Sequence, residues 1–264
     1  MDSQQSPVET TDPVLAAALP WLRHARRILV FTGAGISTES GIPDFRGPNG
    51  VWKTTDPQRY TIESYVSDRE VRVERWQARL EGRFSNAAPN RAHLAVTRLQ
   101  QAGLAPVVVT QNIDGLHQKA GTVNVIELHG TSSEAMCLGC DRRMPIEVVL
   151  DRVREGDEDP HCEACGGLLK TATISFGQPM VAADVSRAVE EARMCDVCLA
   201  VGSTLSVWPA AGVPVEAVRN GARLVIVNEG PTDLDGMATL ILSGRAGDIL
   251  SQLAAAVIGD GDSR

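Results

Sequence analysis

Six short apolar segments recur along the chain, each bounded by turn-forming or polar residues. Apolar runs of this length are typical of strands that are buried on both faces of a parallel sheet. The segments are 28–31, 106–110, 123–128, 197–201, 223–227 and 239–242. Stretches with apolar residues at helical spacing accompany them at 14–25, 184–193, 210–220 and 248–258. This alternation predicts an α/β fold built on a doubly wound parallel sheet.

Two parts of the chain interrupt the alternation. Between the first two strands the sequence predicts two helices. Ser67 and Glu70 have the spacing of a capping box at the start of the first, and the second is expected to end at Gly103. Residues 131–175 lose the pattern altogether. The predicted boundaries are 14–130 and 176–258 for a discontinuous large domain, about 38–103 for its helical insertion, 131–175 for a small module, and 1–13 and 259–264 for loose tails.

Composition narrows the class of protein. The 264 residues are 43% hydrophobic and 22% charged, which is ordinary for a globular chain with a proper core. The formal net charge of −8 argues against a nucleic-acid surface. No apolar run approaches the ~18 residues that a membrane span requires, and the first residues lack the regions of a signal peptide. We therefore expect a cytoplasmic protein with neither nucleic-acid nor membrane partners.

Four cysteines form two Cys-x-x-Cys pairs that are separated by 21 residues. This spacing suits a closed tetrahedral zinc site, which stabilises structure and leaves no open position for catalysis. An iron–sulfur or redox role is the alternative, and His161 could compete as a ligand. The predicted zinc ligands are Cys137, Cys140, Cys162 and Cys165.

A third pair, Cys195 and Cys198, leads into an apolar run. Residues three apart on a strand point to opposite faces and cannot chelate one ion. We expect both thiols to serve core packing.

Polar residues follow five of the six predicted strands. In an open parallel sheet the carboxyl ends of the strands form the ligand crevice, so these residues predict a binding site. They are Gly33 and Gly35, Gln111 to Asp114, His129, Gly202 to Thr204, and Asn228 with Glu229.

The first of these strand ends is a glycine turn that does not match the usual dinucleotide fingerprint. Thr38 stands where the third glycine is expected, and no acidic residue follows at the right distance. Residues 42–52 mix turn formers with aromatic and charged residues, which is typical of a binding loop. Within it, a turn cap is the simplest role for Asp44.

Among five histidines, His129 is the best candidate for a general base. It closes a strand at the predicted crevice, and imidazole titrates near neutral pH. A structural role is an equal alternative from position alone. For His93 and His117 we expect hydrogen-bonded structural roles.

Several long motifs occur in a characteristic order. They are Gly33-Ala34-Gly35-Ile36-Ser37, Gly41-Ile42-Pro43-Asp44-Phe45-Arg46-Gly47, Thr110-Gln111-Asn112-Ile113-Asp114-Gly115-Leu116-His117 and Glu127-Leu128-His129-Gly130. Together with the cysteine pairs, Phe176-Gly177, Gly202-Ser203-Thr204-Leu205 and Asn228, they resemble the sirtuins over about residues 14–258. The sirtuins are NAD-dependent protein-lysine deacylases.

The resemblance implies a Rossmann-like NAD-binding sheet, a smaller lobe made of a zinc ribbon and a helical module, and a peptide cleft between them. It implies catalytic roles for His129, as general base, and for Asn112 and Asp114. The implied NAD contacts are Gly33, Ala34, Gly35, Ser37, Asp44, Phe45, Arg46, Trp52, Gln111, Asn112, Ile113, Asp114, Gly202, Ser203, Thr204, Asn228, Glu229 and Ala246. The implied substrate contacts are Ile174, Phe176, Gly177 and Val207.

The implied activity is deacylation of acyl-lysine proteins or peptides, with release of nicotinamide and transfer of the acyl group to ADP-ribose. Deacetylation is favoured, because Trp76 and Arg79 stand where members that remove acidic acyl groups have Tyr-x-x-Arg. Gln178 also departs from the common Phe-Gly-Glu. A protein mono-ADP-ribosyltransferase and a non-catalytic NAD- or acyl-lysine-binding module are the alternatives.

Overall fold

The computed structural model describes residues 13–47, 50–82 and 86–259. Pro48 and Asn49, which belong to the predicted binding loop, lie outside these ranges. Within the described ranges, no helix is both long enough and apolar enough to cross a membrane.

Strands and helices alternate as follows. The strands are β1 Ile28–Thr32, β2 Val107–Thr110, β3 Val125–Glu127, β4 Gly130–Cys137, β5 Arg143–Pro145, β6 Leu169–Thr173, β7 Val197–Val201, β8 Arg223–Asn228 and β9 Leu240–Ser243. The α-helices are α1 Pro13–His24, α2 Ile62–Ser67, α3 Arg69–Leu80, α4 Arg91–Gln101, α5 Leu116–Lys119, α6 Ile146–Arg154, α7 Ala182–Met194, α8 Gly212–Arg219 and α9 Ala246–Ile258. Short 3-10 helices occupy 34–40, 51–53, 57–60 and 235–237.

The large sheet has six parallel strands in the order β3-β2-β1-β7-β8-β9. All six predicted strands are present in it. Ile28 and Val30 pack into one hydrophobic layer with α1, α4 and α9, whereas Leu29 and Phe31 pack into a second layer with α7 and α8. Full burial of each apolar side chain of this kind contributes roughly 1.5–3 kcal/mol to the free energy of unfolding. The predicted doubly wound parallel sheet is confirmed.

A smaller lobe is built on the antiparallel sheet β5-β4-β6. Trp76 of α3 is buried in the same hydrophobic cluster as Ala135, Val149 and Leu169, so the helical insertion and the cysteine-bearing module share one core. Arg72 of α3 also forms a bidentate ion pair with Asp159 at 2.9 and 2.8 Å. The pattern of residues 131–175 gave no indication of α6, a nine-residue helix.

One local prediction was wrong in detail. The cap of α3 is Asp68, whose carboxylate accepts the Glu70 N–H at 2.8 Å, because Ser67 is already the last residue of α2. The glycine turn after β1 leads into the 3-10 helix 34–40, and Gly41, with φ +82°, caps its end. Cys195 and Cys198 are both buried, as expected for packing residues. They lie in one core layer and not on opposite faces of the sheet, because Cys195 precedes β7.

Candidate functional site

The reversal of strand order lies between β1 and β7, and the loops that follow these strands pack against each other. Gly33 N–H donates to the Val201 carbonyl at 3.0 Å, and Gly35 N–H donates to the Gly202 carbonyl at 2.8 Å. A Cβ on Gly202 would lie 2.3 Å from Ile36 N, and the φ of Gly202 is +60°. Glycine is therefore required for these two loops to meet, and they meet at the position where doubly wound sheets bind ligands.

Gln111 connects three neighbouring strand ends. Its backbone N–H donates to the Thr32 carbonyl at 2.9 Å, at the end of β1. Its side-chain amide donates to the Ser203 hydroxyl at 2.9 Å, in the loop after β7. The predicted convergence is thus observed for the ends of β1, β2 and β7.

Ser37, Asn112 and Asp114 form a buried polar cluster beside this crossing. The Ser37 hydroxyl donates to Asp114 Oδ2 at 2.7 Å, and Asn112 Nδ2 donates to the Ser37 hydroxyl and to the Gly33 carbonyl, both at 3.1 Å. Asp114 Oδ1 accepts the Leu116 N–H at 2.9 Å. Because each group has a hydrogen-bond partner, burial imposes no large desolvation penalty and the cluster is held in one arrangement.

His129 lies two residues after the end of β3, and its Nδ1 is 2.9 Å from the Gln111 carbonyl oxygen. A carbonyl can only accept, so Nδ1 carries the proton and the neutral ring has its lone pair on Nε2. Burial lowers the pKa of His129, and the hydrogen bond with Gln111 partly opposes this shift. The imidazole is therefore neutral near pH 7, which is the state that a general base requires.

Two buried histidines lie behind this edge of the sheet. The Thr32 hydroxyl is 3.0 Å from His117 Nε2, and the rings of His93 and His117 contact each other with centroids 5.0 Å apart. Burial lowers the pKa of His93 to about 4 and that of His117 to about 3. Both side chains are neutral packing groups, in line with the predicted structural roles.

An aromatic cluster connects the predicted binding loop to the small lobe. The Trp52 ring centroid lies 5.0 Å from those of Phe45 and Tyr60 and 5.9 Å from that of Phe176. Tyr60 was not among the predicted site residues, although aromatic residues make up only 4% of the chain, which makes each of them a candidate. Asp44 accepts the Gly47 N–H at 2.9 Å, so its predicted role as a turn cap is confirmed.

The predicted substrate segment 174–177 has one edge already paired. Ile174 N–H donates to the His129 carbonyl at 2.8 Å. At Phe176 the N–H donates to the Tyr60 carbonyl at 3.1 Å, and the carbonyl accepts the Ile62 N–H at 2.9 Å. An added peptide strand would therefore have to use the opposite edge. Gly177 follows with φ +78°.

The remaining predicted NAD and substrate contacts differ in their exposure. Asn228, at the end of β8, donates from Nδ2 to the Gly230 carbonyl at 2.8 Å, and Glu229 beside it is exposed. Ala246 is buried at the start of α9, whereas Arg46 is exposed. Ala34, Ile113, Thr204 and Val207 are partly buried in the loops that follow the strands.

The four cysteines of the small lobe converge on one point. Their Sγ atoms all lie within 4.8 Å of one another, with Cys137 and Cys165 3.4 Å apart and Cys140 and Cys162 3.8 Å apart. Zinc–sulfur bonds of ~2.3 Å in a tetrahedron place sulfurs about 3.8 Å apart, so the set fits zinc. His161 is not a member of this set; its Nδ1 contacts the Asp159 carbonyl at 2.8 Å.

Comparison with known proteins gives consistent matches. The model of the Sir2 family matches residues 33–209. An NAD-dependent protein deacetylase of Caldivirga maquilingensis is 44% identical over 87% of this chain and 88% of its own length. An NAD-dependent protein deacetylase of Rhodopseudomonas palustris is 45% identical over 87% of this chain and 91% of its own length.

Solved structures agree over nearly the whole chain. A Sir2 variant with a deacetylated p53 peptide and 3′-O-acetyl ADP-ribose superimposes with a TM-score of 0.83 at 36% identity, covering 94% of this chain and 98% of the other. A mutant Sir2 homologue in complex with ADP-ribose gives a TM-score of 0.86 at 30% identity, with the same coverage of both chains. The chain belongs to the Sir2 family.

Proposed function

We propose that this protein is an NAD-dependent protein-lysine deacetylase, which releases nicotinamide and transfers the acyl group of an acyl-lysine substrate to ADP-ribose. The observation that carries the proposal is the placement of His129. Its Nδ1 proton is held by the Gln111 carbonyl, and that residue directly precedes the buried cluster of Asn112 and Asp114. A neutral base thus lies beside a rigid polar site at the ligand-binding edge of the sheet.

NAD would bind along the carboxyl ends of the strands. The backbone of Gly33, Ala34 and Gly35 would lie against the diphosphate, since two of these residues have no side chain to obstruct a close approach. Exposed Arg46 would supply the cation for the same group. The loops with Gly202, Ser203, Thr204, Asn228, Glu229 and Ala246 would hold the adenosine half.

The nicotinamide half would lie at the buried polar cluster. Asn112, Asp114, Ser37, Gln111 and Ile113 would orient the ribose and carboxamide, while Asp44, Phe45 and Trp52 belong to the loop that would cover them. Asp114 would also stabilise positive charge that develops at the ribose. His129 would accept a proton from a ribose hydroxyl at Nε2, since Nδ1 is already protonated and engaged with Gln111.

The acyl-lysine peptide would lie between the segment with Ile174, Phe176 and Gly177 and the loop with Val207. This is the cleft between the sheet domain, proposed as 14–130 and 176–258, and the small module 131–175. The zinc held by Cys137, Cys140, Cys162 and Cys165 would have a structural role, because four thiolates leave it no open position. Cysteines kept reduced for a metal suit a cytoplasmic setting.

The experiment is a stoichiometric assay with NAD and an acetyl-lysine peptide. We expect nicotinamide and deacetylated peptide to form in equal amounts, and neither to form when NAD or the acetyl group is omitted. Absence of nicotinamide release across acetyl-, succinyl- and long-chain acyl-lysine peptides would overturn the proposal in favour of a binding module.

A further inference from the structure

Lys170 is a buried basic residue in the small lobe. It lies on β6 and is only 2% exposed. Burial, with a smaller contribution from the charges of Arg75 and Arg79, lowers the pKa of Lys170 to about 7. An apolar residue of similar length would avoid the free-energy cost of burying this charge. The position of the ammonium group therefore suggests a specific role for its hydrogen bonds.

The ammonium group donates only to neutral oxygens within the described part of the chain. Nζ contacts the Thr171 carbonyl at 3.2 Å, the Thr173 carbonyl more closely, and the Thr173 hydroxyl at 3.5 Å. These acceptors lie on the strand itself, at the point where it continues into the predicted substrate segment. Lys170 therefore restrains the conformation of its own strand end.

The Thr173 carbonyl belongs to the same peptide unit as the Ile174 N–H. That N–H donates to the His129 carbonyl at 2.8 Å. Because a peptide unit is planar and rigid, fixing the carbonyl at one end fixes the direction of the N–H at the other. Lys170 and the backbone of His129 thus hold opposite ends of a single peptide plane.

The backbone next to His129 leaves little room for adjustment. Gly130 pairs with Thr173 and has φ +73°. A Cβ at Gly130 would lie 2.1 Å from the Ala172 carbonyl oxygen. The two chain segments are therefore in close contact immediately before the peptide plane that Lys170 holds.

We propose that Lys170 is a positioning residue, which acts through the Thr173–Ile174 peptide unit to orient both the acyl-peptide-binding segment and His129. This inference rests on the proposed deacetylase function. It assigns Lys170 no contact with the substrate. Its loss should affect steps that involve the peptide and the base, and not the binding of NAD.

The main test compares Lys170→Met with Lys170→Arg. We expect Lys170→Met to lower kcat/KM for the acetyl-peptide about tenfold or more, while KM for NAD changes less than about twofold. Lys170→Arg keeps a cationic donor and should recover most of the loss. A change in KM for NAD as large as the change in kcat/KM for the acetyl-peptide would overturn the proposal. No recovery of kcat/KM in Lys170→Arg would also overturn it. If Lys170→Met does not fold, Lys170→Gln is measured against the same criteria.

Arg72→Met is the matched control. It removes another buried cation from the same lobe, one that pairs with Asp159 and does not touch the strand end. We expect it to destabilise the lobe without a selective effect on the peptide. If both variants gave the same kinetic pattern, Lys170 would be merely structural.

A readout independent of activity separates this proposal from the proposed function. Hydrogen exchange at the Ile174 amide should accelerate at least about tenfold in Lys170→Met relative to wild type and to Arg72→Met. An unchanged exchange rate at Ile174 would overturn the positioning role of Lys170 even in an active enzyme. Accelerated exchange would support it even if the wild-type protein released no nicotinamide, a result that would count against the proposed function alone.

Discussion

The Nδ1 atom of His129 lies 2.9 Å from the carbonyl oxygen of Gln111, a residue 18 positions earlier in the chain. This single hydrogen bond selects the tautomer of the imidazole, because the carbonyl can only accept. It also connects the proposed base to the strand end that carries Asn112 and Asp114. The ring is thereby positioned by a backbone group that no side-chain substitution at Gln111 can remove.

We first predict that His129→Ala lowers acyl transfer about 10²- to 10⁴-fold, the usual contribution of a positioned acid–base group. His24→Ala, at an exposed helical position, is the control and should leave turnover unchanged. In the wild type, kcat/KM should rise with pH through a midpoint below the usual histidine value, since burial lowers the pKa of His129. Steady-state rates between pH 5 and 8 check this, and full activity of His129→Ala would exclude the assigned role.

The second prediction concerns how the buried histidine pair, His93 and His117, makes the free energy of unfolding depend on pH. In the folded protein the pKa values of His93 and His117 are about 4 and about 3, whereas an unfolded histidine titrates near 6.5. Between these values the unfolded chain binds more protons, so the pair's contribution is complete above pH 6.5 and decreases as the pH falls.

Glu127 changes the free energy of unfolding in the opposite direction over an overlapping pH range. Burial raises the pKa of Glu127 to about 7, so its contribution decreases as the pH rises above about 4.5. The histidine effect should therefore be measured as a difference. Denaturant unfolding of His117→Gln and wild type between pH 4.5 and 7 should show a shallower acid-side loss in the variant. An identical pH slope would contradict the buried neutral state of His117.

The third prediction concerns two glycines that both have positive φ. Gly202→Ala should cost more than the roughly 1–2 kcal/mol that a left-handed conformation costs an L-residue, because the new methyl group meets the Ile36 amide. Gly221→Ala is the matched control, since φ is +91° there and nothing lies within 4 Å of a Cβ. Thermal unfolding and NAD titration measure both. Equal destabilisation with unchanged NAD affinity would contradict the close approach of the two loops.

The fourth prediction concerns metal content. Cys140→Ser should lose zinc and destabilise the small lobe, because Cys137 and Cys162 are part of the core that also includes Trp76. Cys195→Ser changes a cysteine in the hydrophobic layer between the large sheet and α7 and α8. This variant should retain one zinc per chain. Elemental analysis after dialysis against a chelator distinguishes the two variants. Retention of metal by Cys140→Ser would contradict the four-cysteine assignment.

Much of this fold could be predicted from the chain because its signals are local. Each sheet strand is a short apolar run, and each strand end carries its polar residues within a few positions, so the crevice followed from the sheet type. The cysteine spacing likewise predicted a convergent set, which the Sγ distances confirm.

What the sequence did not reveal are relationships between distant residues. The Gln111–Ser203 hydrogen bond joins positions 92 apart, and the Thr32–His117 contact joins positions 85 apart. The contact of Trp52 with Phe176, 5.9 Å between ring centroids, depends on how the helical insertion folds back on a later part of the chain. Local patterns also could not distinguish an α-helix from the 3-10 helix at 34–40, since its conformation is set by the loop packed beneath it.

The most direct test of the central claim is the fate of the acyl group. Wild-type protein, NAD and a peptide with a ¹³C-labelled acetyl-lysine should yield an acetyl-ADP-ribose of correspondingly increased mass, together with free lysine peptide and nicotinamide. Mass spectrometry of the small-molecule and peptide fractions resolves all three products. Labelled free acetate without an acetylated ADP-ribose, or ADP-ribose attached to the protein or peptide as the main product, would contradict the proposed deacetylase.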